Sequence, residues 1–469
     1  MKSSFSAGSS GKGGRWSYLY RLWQAALAQP ELPQFDRWFA REIKQYKQFG
    51  KQDRYWYSEM LFAALRFGCL ATFFDFLHSK TGASRRAAAP FSASRDVVGE
   101  SLAAFAKDFP GPAPVLDSWR KMPPGEFFEW VYRRYAAEEG SELSAGANWP
   151  GTAEKSRGQF LSTFRSHVEG GGLRERMLWH GVPLWFERFL KERARRSGWN
   201  REETERFIRH HGSRPPLWLR INHPARTAEV IRELKSNGFT VQEQGEALQV
   251  EGRKGIYELA AYKSGWVEVQ DLASQRIGAK VNALPGQMAW DCCAGGGGKT
   301  LQIAARPGGE RGAVYASDIR EYKLEELRRR VRKAQFHNVR TVVWEGEALP
   351  DFGKEVRNRG GFHWVLVDAP CSASGTWRRN PDGKWRFDLS GLPALTALQY
   401  QLLQNASAAV RPQGRLVYAT CSWLAEENEL IVERFLKENP AFRLVEQELL
   451  GSPRENADTM FAATLTKSL

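Results

Sequence analysis

From Met288 onward, short aliphatic and β-branched runs alternate with amphipathic helical segments, a pattern that few folds accommodate. Strand-like runs cover Met288 to Cys292, Ala313 to Ser317, Thr341 to Trp344, Trp364 to Val367 and Leu416 to Ala419. Helical periodicity covers Arg320 to Ala334, Leu395 to Val410 and Glu426 to Glu438. Strands buried on both faces read as nearly continuous apolar runs, and parallel strands need helical crossovers. The pattern therefore predicts an α/β, doubly wound parallel sheet, whose ligands belong at the carboxyl ends of its strands.

Two of those ends carry thiols. Trp364 to Val367 runs into Asp368-Ala369-Pro370-Cys371, and Leu416 to Ala419 runs into Thr420-Cys421-Ser422. A free cysteine is often just a small buried side chain, but two at adjacent strand tips, one with an acid three residues before it, suggest paired thiol chemistry. The chain has five cysteines, four of them between 292 and 421, an odd and clustered set that is no disulfide framework and points to a reducing, cytoplasmic setting. It contains no C-x-x-C spacing and its eight histidines are scattered, so no metal site is expected. His363 lies at the far end of its strand from Cys371, which argues against a Cys–His dyad. Cys292 and Cys293 are expected to pack at the first strand's tip.

That first strand leads into Asp291-Cys292-Cys293-Ala294-Gly295-Gly296-Gly297-Gly298-Lys299-Thr300, followed by helical Leu301 to Ala304. Glycines allow close approach of a ligand to backbone N–H groups at a helix start. Gly298-Lys299-Thr300 matches the end of a phosphate loop, but Cys293 stands where that motif requires its first glycine. A second account fits better. Asp318 ends the next strand, 27 residues after Asp291, where an acid commonly meets a ribose diol. Glu345-Gly346-Glu347 follows the third strand, so the same edge suits an adenosine-containing cofactor.

The 469 residues are too many for one core, and 68 Lys and Arg against 53 Asp and Glu leave a charge of +15, which suggests a polyanionic partner. Residues 1–16 read as a frayed tail without a signal core, and no run of 18 uninterrupted apolar residues predicts a membrane helix. Residues 17–170 have helical periodicity, broken by loop-like segments at 81–94 and 140–158. After a helical linker, alternation from Leu217 to Asn222, an amphipathic segment Thr227 to Asn237 and strand-like Thr240-Val241 and Leu248 to Val250 indicate a small α+β module within 171–280. Arg378, Arg379, Lys384, Trp385 and Arg386, just after Cys371, could grip phosphates and stack on bases. The Arg328 to Lys333 run is read as a solvated helix face.

Four motifs carry a family resemblance: Asp291 to Thr300; Asp368 to Cys371 continuing through Arg378-Arg379-Asn380-Pro381; Thr420-Cys421-Ser422 with Glu426-Glu427-Asn428-Glu429; and Val269 to Gln275. With them the chain resembles the RNA cytosine-5 methyltransferases, most closely the bacterial 16S rRNA branch, which has a helical domain similar to an antitermination factor. The tail Asp458 to Ala463 is similar to that family's last strand. The resemblance is strong over about 175–469 and weaker over 35–78. It implies a class I, Rossmann-like methyltransferase domain over 281–469, preceded by the α+β RNA-binding module and the all-helical domain.

The same resemblance implies S-adenosylmethionine on Cys293, Ala294, Gly295, Gly296, Gly297, Gly298 and Lys299, with Asp318 on its ribose, Glu347 near its adenine and Asp368 at the same edge. It implies Cys421 as nucleophile and Cys371 as the residue that releases the product, with Asp368 on the base's N3/N4 edge and Lys299 favouring a thiolate. Two departures stand out: Gly295 to Gly297 occupy positions where proline or alanine is common, and Glu347 replaces an aspartate. The expected substrate is small-subunit rRNA, handled by a cytoplasmic monomer; the rival reading is a non-catalytic RNA-binding assembly factor on the same fold.

Overall fold

The computed structural model describes residues 13–80, 95–137, 155–252, 255–306 and 312–469, and the elements below are those of these residues. Segment 81–94, most of 140–158 and the start of the expected tail lie outside them. The tail expectation is corrected at its end: a helix begins at Gly13, and Trp16 on it is buried. The chain forms two compact units. One comprises 1–188, 208–213 and 380–388, the other 189–207, 214–379 and 389–469.

The first unit is helical, with Gly13–Leu27, Phe35–Glu42, Lys51–Lys80, Arg95–Asp108, Pro112–Lys121, Pro124–Ala136, Lys155–Gly170 and Leu173–Trp179. Pro112 and Pro124 each begin a helix, where the missing N–H costs nothing. The helix Lys51–Leu77 is long enough to cross a membrane and holds an 18-residue window apolar enough to do so, with mean hydropathy 1.7, yet 89% of that window is buried inside the protein. Gly68 on this helix explains part of the packing. A Cβ there would meet Trp119 Cζ2 at 2.3 Å, and the indole N–H donates to Gly68 O and Thr72 Oγ1 at 3.2 and 3.0 Å.

The second unit holds two sheets. Strands β1 (Leu217–Ile221), β2 (Thr240–Gln244), β3 (Ala247–Glu251) and β4 (Val267–Val269) form an antiparallel sheet of order β2-β3-β1-β4, backed by the helix Thr227–Ser236. Strands β5 (Met288–Asp291), β6 (Ala313–Asp318), β7 (Val339–Val343), β8 (Phe362–Asp368), β9 (Val410–Thr420), β10 (Phe442–Gly451) and β11 (Thr459–Lys467) form the larger sheet, ordered β10-β11-β9-β8-β5-β6-β7. Its β9-β8-β5-β6-β7 portion is parallel, and β10 and β11 add an antiparallel edge.

Alternation of side chains gives this sheet two cores. Trp290, Val365, Val367, Leu416 and Tyr418 face one side, while Ala289, Val314, Leu366, Val417 and Ala419 face the other. Each fully buried aliphatic or aromatic side chain there contributes about 1.5–3 kcal/mol. The second core includes Trp218 and Ala247, so the small sheet packs onto the larger one through apolar contact.

Three sequence boundaries move. The third strand starts at Val339, earlier than Thr341, because its polar Arg340 sits on an edge strand that tolerates it. The helix Leu392–Ser407 stops before Val410, which instead opens β9. The helix expected from Glu426 starts at Glu429, since Ala425–Glu427 forms a tighter turn.

Candidate active site

The parallel register brings both thiols to one place. Asp368 pairs with Ala419 across β8 and β9, so Cys371 and Cys421 leave neighbouring strand tips. Their sulfurs lie 3.3 Å apart and both residues are half-buried. The hydrogen bond with Cys421, followed by desolvation, pushes the Cys371 thiol well above the ordinary cysteine range.

Lys299 and Asp368 complete the group. Lys299 Nζ donates to Asp368 Oδ2 at 2.7 Å. Burial lowers the lysine pKa, but the charges of Asp368, Cys421 and Asp291 outweigh it and the net direction is upward. Asp291 lies beneath them, buried, with Oδ2 accepting from Thr300 Oγ1 at 2.6 Å and Oδ1 lacking a partner. Burial raises its carboxyl to about 7.

The glycine loop depends on glycine at one point above all. Gly297 has φ +83°, and a Cβ on it would meet Leu327 Cδ1 at 2.0 Å. A Cβ on Gly295, by contrast, would meet nothing within 4 Å, leaving open space over that part of the loop. Arginines hold the loop from behind. Arg220 on β1 donates to Gly298 O and Gln270 Oε1, both at 2.5 Å, and Arg330 bridges Gly296 O and Glu268. Arg330 is therefore not the solvated side chain expected of its run. Arg220 escaped the sequence reading, though a lone arginine inside Leu217-Trp218-Leu219-Arg220-Ile221 was the signal.

The cofactor candidates fall into three environments. Cys293, Ala294, Gly295, Gly296 and Gly297 lie on the turn between β5 and the next helix, which Gly298 and Lys299 open. Asp318 is buried and already engaged: Oδ2 accepts from Gly295 N at 2.9 Å, and both oxygens meet Arg320. Desolvation raises its pKa, but the Arg320 contacts prevail and lower it. A ribose on Asp318 has to share that carboxylate with Arg320. Glu347 is exposed beyond Gly346, whose φ of +91° makes the turn and whose carbonyl accepts from Asn405 at 2.7 Å. Cys292 is buried and Cys293 half-buried at the strand tip, and burial raises both thiols.

The basic segment after Cys371 is used mostly inside the protein. Arg378 is buried and donates to Ala457 O and Asn456 Oδ1. Arg379 pairs with Asp271 and Asp458 at 3.1 and 3.3 Å. Lys384 and Trp385 are buried within the helical unit, where Lys384 donates to Arg66 O and Gly181 O and the Trp385 indole donates to Leu65 O. Side chains held this way do not grip a phosphate, and the expectation is corrected for Arg378, Lys384 and Trp385. Arg386 remains half-exposed beside Asp382.

Glu427 joins the two thiol loops and was given no role by the sequence reading. It is fully buried. Its Oε1 accepts from Ser372 N at 2.7 Å and Gln399 Nε2 at 2.9 Å. Its Oε2 accepts from Ser372 Oγ at 2.5 Å and from Ser422 Oγ. Among the described residues, no three His, Cys, Asp or Glu side chains gather to hold a metal ion.

Comparison with known proteins places this geometry. Residues 280–466 match the family described as 16S rRNA methyltransferase RsmB/F. The chain is 34% identical over 270 residues to ribosomal RNA small subunit methyltransferase B of Vibrio cholerae, covering 57% of this chain and 59% of that protein. It is 29% identical over 350 residues to a probable ribosomal RNA small subunit methyltransferase B of Synechocystis, covering 72% and 76%. Matches to the first of these relatives span about three fifths of their length. A crystal structure of a protein called PH0851 aligns with a TM-score of 0.64 at 21% identity, covering 98% of this chain and all of that one, a likeness of fold.

Proposed function

Because residues 280–466 match the family described as 16S rRNA methyltransferase RsmB/F, we propose that the chain is a methyltransferase of that kind and methylates C5 of a cytosine in RNA, with small-subunit rRNA as substrate. The observation that carries this reading is the pair of sulfurs 3.3 Å apart at adjacent strand tips, beside the Lys299–Asp368 pair. A cytoplasmic location agrees with the rRNA substrate.

The residues at the β5 tip suit S-adenosylmethionine, which supplies an electrophilic methyl group when bound. Gly295 leaves space for a close approach, and the buried Asp291 Oδ1 has no protein partner. Gly295 to Lys299 would cradle the cofactor, with Asp318 and Glu347 toward its ribose and adenine. Open α/β sheets bind at this edge.

Cytosine C5 is a poor nucleophile until a thiolate adds at C6. Cys421 forms the S–C6 bond, and the displaced C5–C6 electron pair makes C5 reactive. Asp368 holds the base's N3/N4 edge, and the Lys299 ammonium, 2.7 Å from Asp368, brings a positive charge to the thiol pair. Once C5 carries the methyl group, the C5 proton leaves to water, its bonding pair re-forms the C5–C6 double bond, and the S–C6 bond breaks to return the Cys421 thiolate. Cys371, kept as a thiol by its raised pKa and in contact with Cys421, is the group that permits this release. The base must leave its stack to reach the pair.

The test is a denaturing gel after incubation with S-adenosylmethionine and unmodified small-subunit rRNA. Cys371→Ala is expected to accumulate a slow-migrating covalent RNA adduct, and Cys421→Ala to form none. Adduct from Cys421→Ala alone would reverse the two roles. Absence of adduct and of methyl transfer in every chain would favour an RNA-binding assembly factor.

A further inference from the structure

The Glu426-Glu427-Asn428-Glu429 segment supplies no group to the reacting atoms, yet three of its residues are fixed by buried contacts. Asn428 Nδ2 donates to Ser422 O at 2.9 Å, and its Oδ1 accepts from Thr420 Oγ1. Glu429 accepts both Nη groups of Arg193 at 2.6 and 2.8 Å, and Arg193 Nε donates to Trp423 O. Both residues therefore grip only the Cys421 side. Glu427 grips both sides, because Ser372 directly follows Cys371 and Ser422 directly follows Cys421.

We propose that Glu427 is a positioning residue: its buried carboxylate clamps the Cys371 and Cys421 loops together and thereby sets the sulfur–sulfur contact. The mechanistic value of that contact rests on the methyltransferase reading above; the clamp itself does not. Three further observations support it. Gln399 reaches both Glu427 and Pro370 O at 2.9 Å, fixing the carboxylate to the approach of Cys371. Ser374 Oγ lies 2.8 Å from Ser422 Oγ, so the loops touch again one turn on. Gly375 N donates to Cys421 O at 3.0 Å, and a Cβ on Gly375 would sit 1.6 Å from Thr459 O. These outer contacts confine the loops, whereas the carboxylate meets the residue next to each thiol. Charge-assisted hydrogen bonds of this kind are short and hold geometry well.

Release needs Cys371 beside the Cys421 adduct, while adduct formation needs Cys421 alone. Loss of the clamp should slow release more than addition.

The test uses the full chain with Glu427→Asp, too short to reach both loops, and Glu427→Gln, which keeps the length. Native thermal unfolding checks that each is folded. The first readout requires no RNA: diamide oxidises the two thiols to a Cys371–Cys421 disulfide, its N=N bond taking up both hydrogens, and peptide mass spectrometry follows the rate. The expected result is fast cross-linking of the wild-type chain and at least tenfold slower cross-linking of Glu427→Asp, with Glu427→Gln between them. The second readout is the denaturing gel, in which Glu427→Asp should retain covalent RNA adduct and lose turnover, with KM for S-adenosylmethionine near the wild-type value. A wild-type chain that does not cross-link, or a folded Glu427→Asp that cross-links at the wild-type rate, overturns the clamp. Slowed cross-linking with no methylation by any chain sustains the clamp and overturns the methyltransferase reading instead.

Discussion

Lys299 Nζ lies 2.7 Å from Asp368 Oδ2, which ties the first turn of the glycine-loop helix to the strand tip that leads into Cys371. The glycine loop and the thiol pair are thus parts of one charged cluster. Removing the cation leaves a partly buried carboxylate beside the thiols. Lys299→Met should cost about 1–3 kcal/mol of stability, the penalty for an unpaired buried group. It should also slow single-turnover methyl transfer by about 100-fold or more, within the range of lost acid–base assistance. Transfer of labelled methyl groups under excess enzyme measures this, and a wild-type rate would remove Lys299 from the chemistry.

Gly297 makes a separate claim about the glycine loop. Its φ of +83° and the 2.0 Å approach to Leu327 Cδ1 leave no room for a methyl group. Gly297→Ala should introduce about 1–3 kcal/mol of strain and weaken S-adenosylmethionine binding accordingly. Adding Leu327→Ala should recover part of that affinity, because only the steric share is relieved. Calorimetric titration of the three chains separates the shares; unchanged affinity in Gly297→Ala would mean the loop shifts freely.

Long-range order was legible in the sequence wherever burial acted on both faces of a strand. The runs ending at Asp291, Asp318, Asp368 and Thr420 became neighbours of one parallel sheet because each is nearly continuous in apolar residues. By contrast β10 was missed, since Arg443, Glu446, Gln447 and Glu448 face solvent from an edge strand and hide its apolar period. The thiols and the glycine loop were visible as residue types at strand ends. What could not be seen was direction: Lys384 and Arg330 look like solvent-facing charges in sequence, and only tertiary packing turns them toward backbone carbonyls. Glu427 was hidden for a related reason, because its partners lie 55 and 5 residues away.

Lys384 allows that inward placement to be tested. Burial, with Arg66 nearby, lowers its pKa to about 7 from an ordinary value near 10.5. Between those values the unfolded chain binds the extra proton, so stability should rise as pH increases from about 7 toward 10.5. Lys384→Met should flatten that rise, as read from urea midpoints across the range. It should also leave the salt dependence of RNA binding unchanged, whereas a lysine on phosphate would reduce the slope by about one. A reduced slope would restore Lys384 to the RNA interface.

Asp291 carries the opposite sign. Burial raises its carboxyl to about 7, against about 3.9 for an ordinary aspartate. Between these values the folded state binds more protons than the unfolded state, so stability should fall as pH rises from about 4 to 7 and change little from this source above that. Asp291→Asn cannot titrate there, so the wild-type chain should lose ground to it by a few kcal/mol across the interval, on the order of 1.4 kcal/mol per pKa unit. Measuring the difference between the two chains cancels every other titrating group. If the wild-type chain instead held or gained stability relative to Asp291→Asn from pH 4 to 7, Thr300 and Lys299 would have to keep Asp291 ionised throughout, and the unpartnered Oδ1 would be a charged oxygen facing the cofactor loop.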